Sequence, residues 1–246
     1  MWDPGKYLSF SDHRSRPFHE LIARVGAESP RRVVDAGCGP GHLTPLLSER
    51  WPGAVVEAFD SSPEMVSSAR SRGIDAAVED VLSWKPAPDT DVLVTNAVLQ
   101  WVPSHPALLS DWASSLPSGA WLAMQVPGNF SGASHQLTRE VAGPSLAHVF
   151  RSGVPVLEPV EYAELLADHE VDVWETTYVQ RLTGADAVLE WITGTALRPV
   201  RAALDDAGWE DFRARLAPRL RSAYPMRADG TVWFPFRRIF VVARIR

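Results

Sequence analysis

With 246 residues, 46% of them hydrophobic, the chain is long enough to bury a full core and fits one α/β domain with added helices better than two independent domains. A formal net charge of -6 and a pI near 5.6 argue against nucleic acid as the main partner, since phosphate binding needs a clustered positive field, and they favour a small-molecule substrate. A membrane protein is excluded because no apolar run approaches the ~18 residues that span a bilayer, and a single Cys38 with no leader-like start points to the cytoplasm.

An amphipathic stretch begins near Ser15 and ends with Leu21 to Val25, and Arg31-Arg32-Val33-Val34-Asp35 then reads as a short buried strand entering a glycine turn. A helix from about His42 to Arg50 follows, then a second strand from Ala54 to Phe59 that ends on Asp60. Ser61-Ser62-Pro63-Glu64 carries the marks of a helix start, with Pro in the first turn and an acid beside it, and that helix should reach about Ser71. Ile74 to Val78, Asp91 to Thr95 and Ala120 to Val126 are the third, fourth and fifth strands, with a helix near Pro106 to Ser115 before the last. Strand and helix alternate five times with short connections, which implies a Rossmann-like, doubly wound parallel sheet with ligands at the carboxyl ends of its strands.

After residue 127 the pattern becomes helical, with segments at Ser134 to Ala142, Val160 to Asp168, Ala185 to Ile192, Val200 to Asp206 and Glu210 to Ser222. One strand-like run, Val171 to Leu182, interrupts them. Thr231 to Phe234 and Arg238 to Arg246 are rich in alternating and β-branched residues and predict a final hairpin partner or edge strand. The chain thus reads as a single domain over 1–246. Its core is 30–127 with C-terminal strands at 171–182 and 231–246, under a helical cover at about 128–170 and 183–225.

Asp35-Ala36-Gly37-Cys38-Gly39-Pro40-Gly41 follows a strand and opens a helix, where glycines let a backbone approach a ligand closely. A dinucleotide loop spaced G-x-G-x-x-G would place its third glycine where this chain has His42. Here that glycine comes one residue early, and an acid precedes the first one. Such a loop suits a ligand with an ammonium group and no pyrophosphate, and S-adenosylmethionine has an ammonium, a carboxylate and a sulfonium. Asp35 then faces the cationic end while the amides of Gly37, Cys38, Gly39 and Gly41 meet the ligand. Asp60, ending the second strand, is placed to accept both ribose hydroxyls, and Asp80, ending the third, to accept from the adenine amino group. Asn96, ending the fourth, orders the loop near the methionine moiety or simply caps the strand. The seven histidines fall in no paired ligand spacing and one cysteine cannot complete a zinc site, so no metal is expected.

At these residues the chain resembles the class I methyltransferases and, within them, the trans-aconitate 2-methyltransferase family. The resemblance extends beyond the loop to Tyr7-Leu8-x-Phe10, Arg14-Ser15-Arg16-Pro17, Asp60-Ser61-Ser62-Pro63-x-Met65 and Asn96-Ala97-x-Leu99-Gln100-Trp101-Val102-Pro103. It continues through Trp191-Ile192-Thr193, Gly194-Thr195-Ala196-Leu197-Arg198-Pro199 and Phe240-Val241-Val242-Ala243-Arg244. It implies a seven-stranded sheet with an antiparallel last strand, S-adenosylmethionine as methyl donor and a monomethyl ester of trans-aconitate as product. Ser61, Met65 and Val81 join the expected cofactor residues.

A carboxylate is already ionised at neutral pH, so methylating it needs no general base, and no catalytic acid or base is expected. Positioning should carry the rate. A tricarboxylate calls for cationic anchors, and Arg14, Arg198 and Arg238 are the candidates because each lies in or beside a resembling segment. Arg14 is equally suited to the cofactor's own carboxylate, and with 24 minus 2 lysines leaving 22 arginines a structural role competes for each. Tyr7 and Trp101 could flank the sulfonium or wall the pocket, Trp101 first because it follows the fourth strand. Trp112, Trp121, Trp174 and Trp209 read as core or helix-packing residues. The competing readings are a methyltransferase for another small or carrier-bound carboxylate, of malonyl-thioester type, and a cofactor-binding protein without turnover. A nicotinamide-dependent oxidoreductase is disfavoured by the glycine spacing.

Overall fold

The computed structural model describes residues 11–150 and 156–246, with side chains from Ser15 onward. Seven strands form one sheet: β1 (Arg32–Ala36), β2 (Val55–Asp60), β3 (Ala76–Val78), β4 (Thr90–Asn96), β5 (Trp121–Pro127), β6 (Glu170–Thr183) and β7 (Thr231–Arg244). Their spatial order is β3-β2-β1-β4-β5-β7-β6. β1 pairs in parallel with β2 and with β4, β2 with β3, and β4 with β5. The last strand runs against β5, because Gly119 N–H donates to the Ile245 carbonyl while, further along, Gly128 N–H donates to that of Arg237. The chain moves outward through β1, β2 and β3, then returns to the other side of β1 for β4. The strand order therefore reverses between β1 and β4, which is where an open α/β sheet leaves a crevice at its carboxyl edge.

Sequence explains why these strands lie centrally. β1, β4 and β5 are nearly continuous apolar runs, with Val33, Val34, Val92, Leu93, Val94, Leu122, Ala123 and Met124 fully buried, as parallel strands covered on both faces require. β6 alternates exposed and covered residues, the signature of a strand with one wet face. The helix after β2 (Pro63–Ser71) starts where expected: the Ser62 hydroxyl accepts from Met65 N–H at 3.3 Å, and Pro63 and Glu64 occupy the first turn. No described helix is long and apolar enough to cross a membrane.

The residues group into two compact units. A sheet unit comprises Asp12–Val126, Val156–Glu175 and Ile239–Arg246, and the described part of a helical unit comprises Ser11, 127–150 and 176–238. β6 and β7 contribute residues to both. In the helical unit, Trp191, Phe212, Leu216 and Phe234 form a core, with Tyr224 meeting Phe234 edge-on at 5.3 Å and accepting Ser134 N–H through its hydroxyl at 3.1 Å. In the sheet unit the fully buried Tyr162 hydroxyl sits 2.9 Å from His105 Nε2, and His105 Nδ1 sits 3.0 Å from the Val102 carbonyl. Burial lowers the pKa of His105, so the ring is neutral, donating from Nδ1 and accepting from the tyrosine.

Three sequence expectations need correction. The expected pair of segments, Thr231 to Phe234 and Arg238 to Arg246, is one continuous strand passing through Pro235, and it is interior, leaving β6 at the edge. Pro235 lacks a donor, which costs the strand only one hydrogen bond. The helices expected at Val200 to Asp206 and Glu210 to Ser222 are instead Arg198–Ala203 and Asp206–Ala223. Leu204 is extended, and Asp205 begins the next helix by accepting Gly208 N–H at 2.8 Å, a capping signal inside an acidic pair. The third strand is only Ala76–Val78, and Ile74 instead packs against the cluster that holds Ala69 and Val66.

Candidate functional site

The carboxyl ends of β1, β2, β3 and β4 carry the expected cofactor residues, all in the sheet unit. The glycine loop is tied to β2 by its backbone: Gly37 and Cys38 N–H both donate to the Phe59 carbonyl at 2.9 Å. Asp60 then secures it with a side chain. One carboxylate oxygen accepts Gly39 N–H and the other accepts Ser62 N–H, each at 2.9 Å. Asp60 therefore braces the loop and the start of the next helix at once, and each oxygen keeps a second lone pair for a ligand hydroxyl. Glu79 N–H donates to the Asp60 carbonyl at 3.1 Å, which brings the β3 end alongside. There Asp80 is exposed, with one oxygen accepting Leu82 N–H at 2.9 Å, and Val81 is buried. After β2, Ser61 is exposed and Met65 half-buried.

The loop glycines divide into two physical roles. Gly37 has φ +80°, and a Cβ there would lie 2.3 Å from Val98 Cγ2. Its lack of a side chain lets the segment after β4 close against the loop. Gly39 has φ +57°, and a Cβ there would meet nothing within 4 Å among the described residues. Its open side is the face a ligand can approach.

Asp35 is buried among these groups, and the Thr44 hydroxyl donates to it at 2.6 Å. Among the described residues no cation pairs with it. Burial, opposed by the Thr44 bond and reinforced by nearby Asp60, pushes its pKa up to about 6 from 3.8. The same burial, with Asp35 and Asp60 close by, pushes the Cys38 thiol far up, which removes the thiolate a nucleophile would need. Asn96 closes the site at the end of β4, and its buried Oδ1 has no hydrogen-bond partner among the described residues. An uncompensated acid, an unpartnered acceptor and an open glycine face are together suited to a cationic ligand without phosphate.

Of the expected substrate residues, Trp101 is 47% exposed in the short helix Leu99–Trp101 of the sheet unit. Arg198 is exposed and Arg238 buried, its guanidinium 4.7 Å from the Phe236 ring centre; both belong to the helical unit. Tyr7 and the Arg14 side chain lie outside the described residues. Sequence reasoning passed over Thr44, Ala97, Val98 and Gln100. A hydroxyl one turn after the glycines was a readable signal for Thr44. Nothing local marks Val98, whose part depends on two distant strand ends meeting.

Comparison with known proteins accords with this geometry. The family model described as "Methyltransferase domain" matches residues 10–176. A trans-aconitate 2-methyltransferase of Rhodococcus jostii is 62% identical over 100% of both chains, and one of Mycobacterium tuberculosis is 56% identical over 100% of this chain and 97% of its own. The chain belongs to the trans-aconitate 2-methyltransferase family. Among solved structures, the YcgJ protein of Bacillus subtilis superposes with a TM-score of 0.60 at 14% identity, covering 94% of this family member and 98% of YcgJ. Haemonchus contortus phosphoethanolamine N-methyltransferase 2, in complex with S-adenosyl-L-methionine, superposes at 0.56 with 16% identity over 94% and 53%. At those identities the likeness is one of fold, and it extends the methyltransferase fold to nearly the whole chain of this family member.

Proposed function

We propose that the protein transfers the methyl group of S-adenosylmethionine to a carboxylate of trans-aconitate, giving a monomethyl ester. The observation that carries this reading is identity above 60% along the entire chain to a protein of that name, so that the outlying segments match as well as the glycine loop. The site's chemistry supports the cofactor: Asp35 is a buried acid awaiting a cation, Gly39 leaves open space, and Asp60 retains lone pairs for ribose hydroxyls. Asp80, Val81, Ser61 and Met65 hold the adenosine end, and Asn96 with the amides of Gly37, Cys38, Gly39 and Gly41 holds the methionine end.

Bound S-adenosylmethionine supplies a methyl group on a sulfonium, an electrophile that a carboxylate accepts without any proton moving. The protein's own task is to bind, orient and dehydrate. Arg14, Arg198 and Arg238 serve as the cationic anchors for the tricarboxylate, and Tyr7 and Trp101 wall the reacting centre. The lone buried Cys38 needs no oxidising compartment, which supports a cytoplasmic enzyme acting on a soluble acid. Incubation with methyl-labelled S-adenosylmethionine and a panel of di- and tricarboxylates tests the reading. Base-labile ester on trans-aconitate well above the other acids is the expected result. Label on a malonyl thioester instead, or on nothing despite cofactor binding, would overturn it.

Asp35 gives the cofactor reading a pH signature. A folded pKa above the unfolded one means that the folded chain holds the extra proton. The contribution of this group to stability is therefore complete below about pH 4 and is lost as pH rises through about 6. A cation bound beside Asp35 reverses the preference, because it stabilises the ionised form. Affinity for S-adenosylmethionine is expected to be roughly tenfold weaker at pH 5 than at pH 7, with one proton released on binding at the lower pH. Calorimetry in buffers of different ionisation enthalpy reads both quantities. An equally steep profile in Asp35→Asn would assign the dependence to another group.

A further inference from the structure

β4 ends in an unusual way. Ala97, the residue after Asn96, has φ +57°, the one described non-glycine residue in the left-handed region. An L-residue adopts this conformation at a cost and keeps it only where its surroundings impose it. The surroundings are identifiable. Ala97 N–H donates to the Gln125 carbonyl on neighbouring β5 at 2.9 Å, and its carbonyl accepts from the Gln100 side-chain amide at 2.6 Å. Gln100 is itself buried, between the fully buried Leu99 and the exposed Trp101. The next residue, Val98, is the one that closes over Gly37. Asn96 remains in strand register opposite Gln125, with its Oδ1 buried and without a hydrogen-bond partner among the described residues.

These contacts form a short mechanical chain. A left-handed residue turns the backbone sharply, so that Asn96 stays at the strand end while Val98 folds back onto the glycine loop. Without that turn the strand would run on, and the Asn96 amide would lose its fixed direction. The Gln125 carbonyl holds only the amide side of Ala97, and the carbonyl side depends on Gln100.

We propose that Gln100 is a positioning residue for cofactor binding: its side-chain amide clamps the left-handed Ala97 and thereby aims Asn96 Oδ1 at the ammonium group of S-adenosylmethionine. Gln100 touches no reacting atom in this scheme. The inference rests on the cofactor assignment above and is independent of which acid is methylated.

The test uses the full chain and calorimetric binding of S-adenosylmethionine, at a temperature where melting curves show each variant folded. Gln100→Leu keeps the bulk and removes the donor, and it is expected to weaken binding about tenfold, the scale of one hydrogen bond to a charged group. Asn96→Ala should cost a similar factor, and the Gln100→Leu/Asn96→Ala protein little more than either alone, because both changes remove the same contact. Ala97→Gly provides the rescue. Glycine enters the left-handed region freely, so Gln100→Leu in an Ala97→Gly background should recover most of the affinity. A purely structural glutamine would lower the melting temperature and leave the dissociation constant unchanged in Gln100→Leu, which would overturn the proposal, as would full additivity with Asn96→Ala. Wild-type protein that binds the cofactor yet methylates no carboxylate would remove the functional reading and leave this inference standing.

Discussion

Asp60→Ala is expected to weaken S-adenosylmethionine binding by about three orders of magnitude and to lower the melting temperature at the same time, since each charge-assisted hydrogen bond is worth about 1.5–3 kcal/mol. Both effects follow from one carboxylate with three duties. Its two oxygens hold Gly39 and Ser62 N–H at 2.9 Å, and their remaining lone pairs are the ones proposed for the ribose hydroxyls. Removing it leaves the loop amide and the amide of the helix cap Ser62 without acceptors as well as removing the ligand contact. Asp60→Asn keeps one acceptor oxygen and should fall between alanine and wild type in both properties. Calorimetry and thermal melts give the two readouts. Asp60→Ala binding within tenfold of wild type would refute its place in the site.

Gly37→Ala and Gly39→Ala should fail in opposite ways although they are two residues apart in one loop. At Gly37 the new methyl would sit 2.3 Å from Val98 Cγ2 in a left-handed backbone. The protein is expected to lose about 3 kcal/mol or more, which for a chain of this size is a fall of roughly 6–12 °C in melting temperature. Truncating the opposing residue, in Gly37→Ala/Val98→Ala, should recover part of that loss. At Gly39 the methyl meets no described atom within 4 Å. The expected cost to stability is only about 1–2 kcal/mol, from the backbone conformation, whereas cofactor binding should fall by at least about a hundredfold because the methyl occupies the ligand's approach. Melting curves and binding isotherms on the pair separate the roles. A stable Gly37→Ala, or a Gly39→Ala that binds normally, would contradict the division.

The sequence by itself determined the order of elements and the chemistry offered at each strand end. Burial on both faces of a parallel sheet leaves a near-continuous apolar run, so β1, β4 and β5 were legible within a residue or two, and Asp35, Gly37, Gly39, Asp60, Asp80 and Asn96 fell at strand ends because loops there must be polar. Family resemblance on scattered motifs carried the assignment further, and full-length identity to relatives of that name bore it out. Where local chemistry competes with packing, sequence was a poorer guide. Pro235 lay between two expected segments and sits within one 14-residue strand, and Asp205 fell in the last turn of an expected helix and caps the start of the next. Tertiary structure alone decided which loop glycine is packed against and which is open among the described residues, since that turns on Val98 from the segment after another strand. It alone decided that Asp60, expected to accept ribose hydroxyls, also braces the glycine loop, and that burial pushes the pKa of Asp35 up to about 6. It alone set Ala97 in a left-handed conformation under the hold of Gln100 and Gln125. The physical reason is common to all of these: periodicity records which face of an element is buried, whereas a clash, a shared carboxylate or a desolvated charge exists only once segments distant in sequence are brought within a few ångströms.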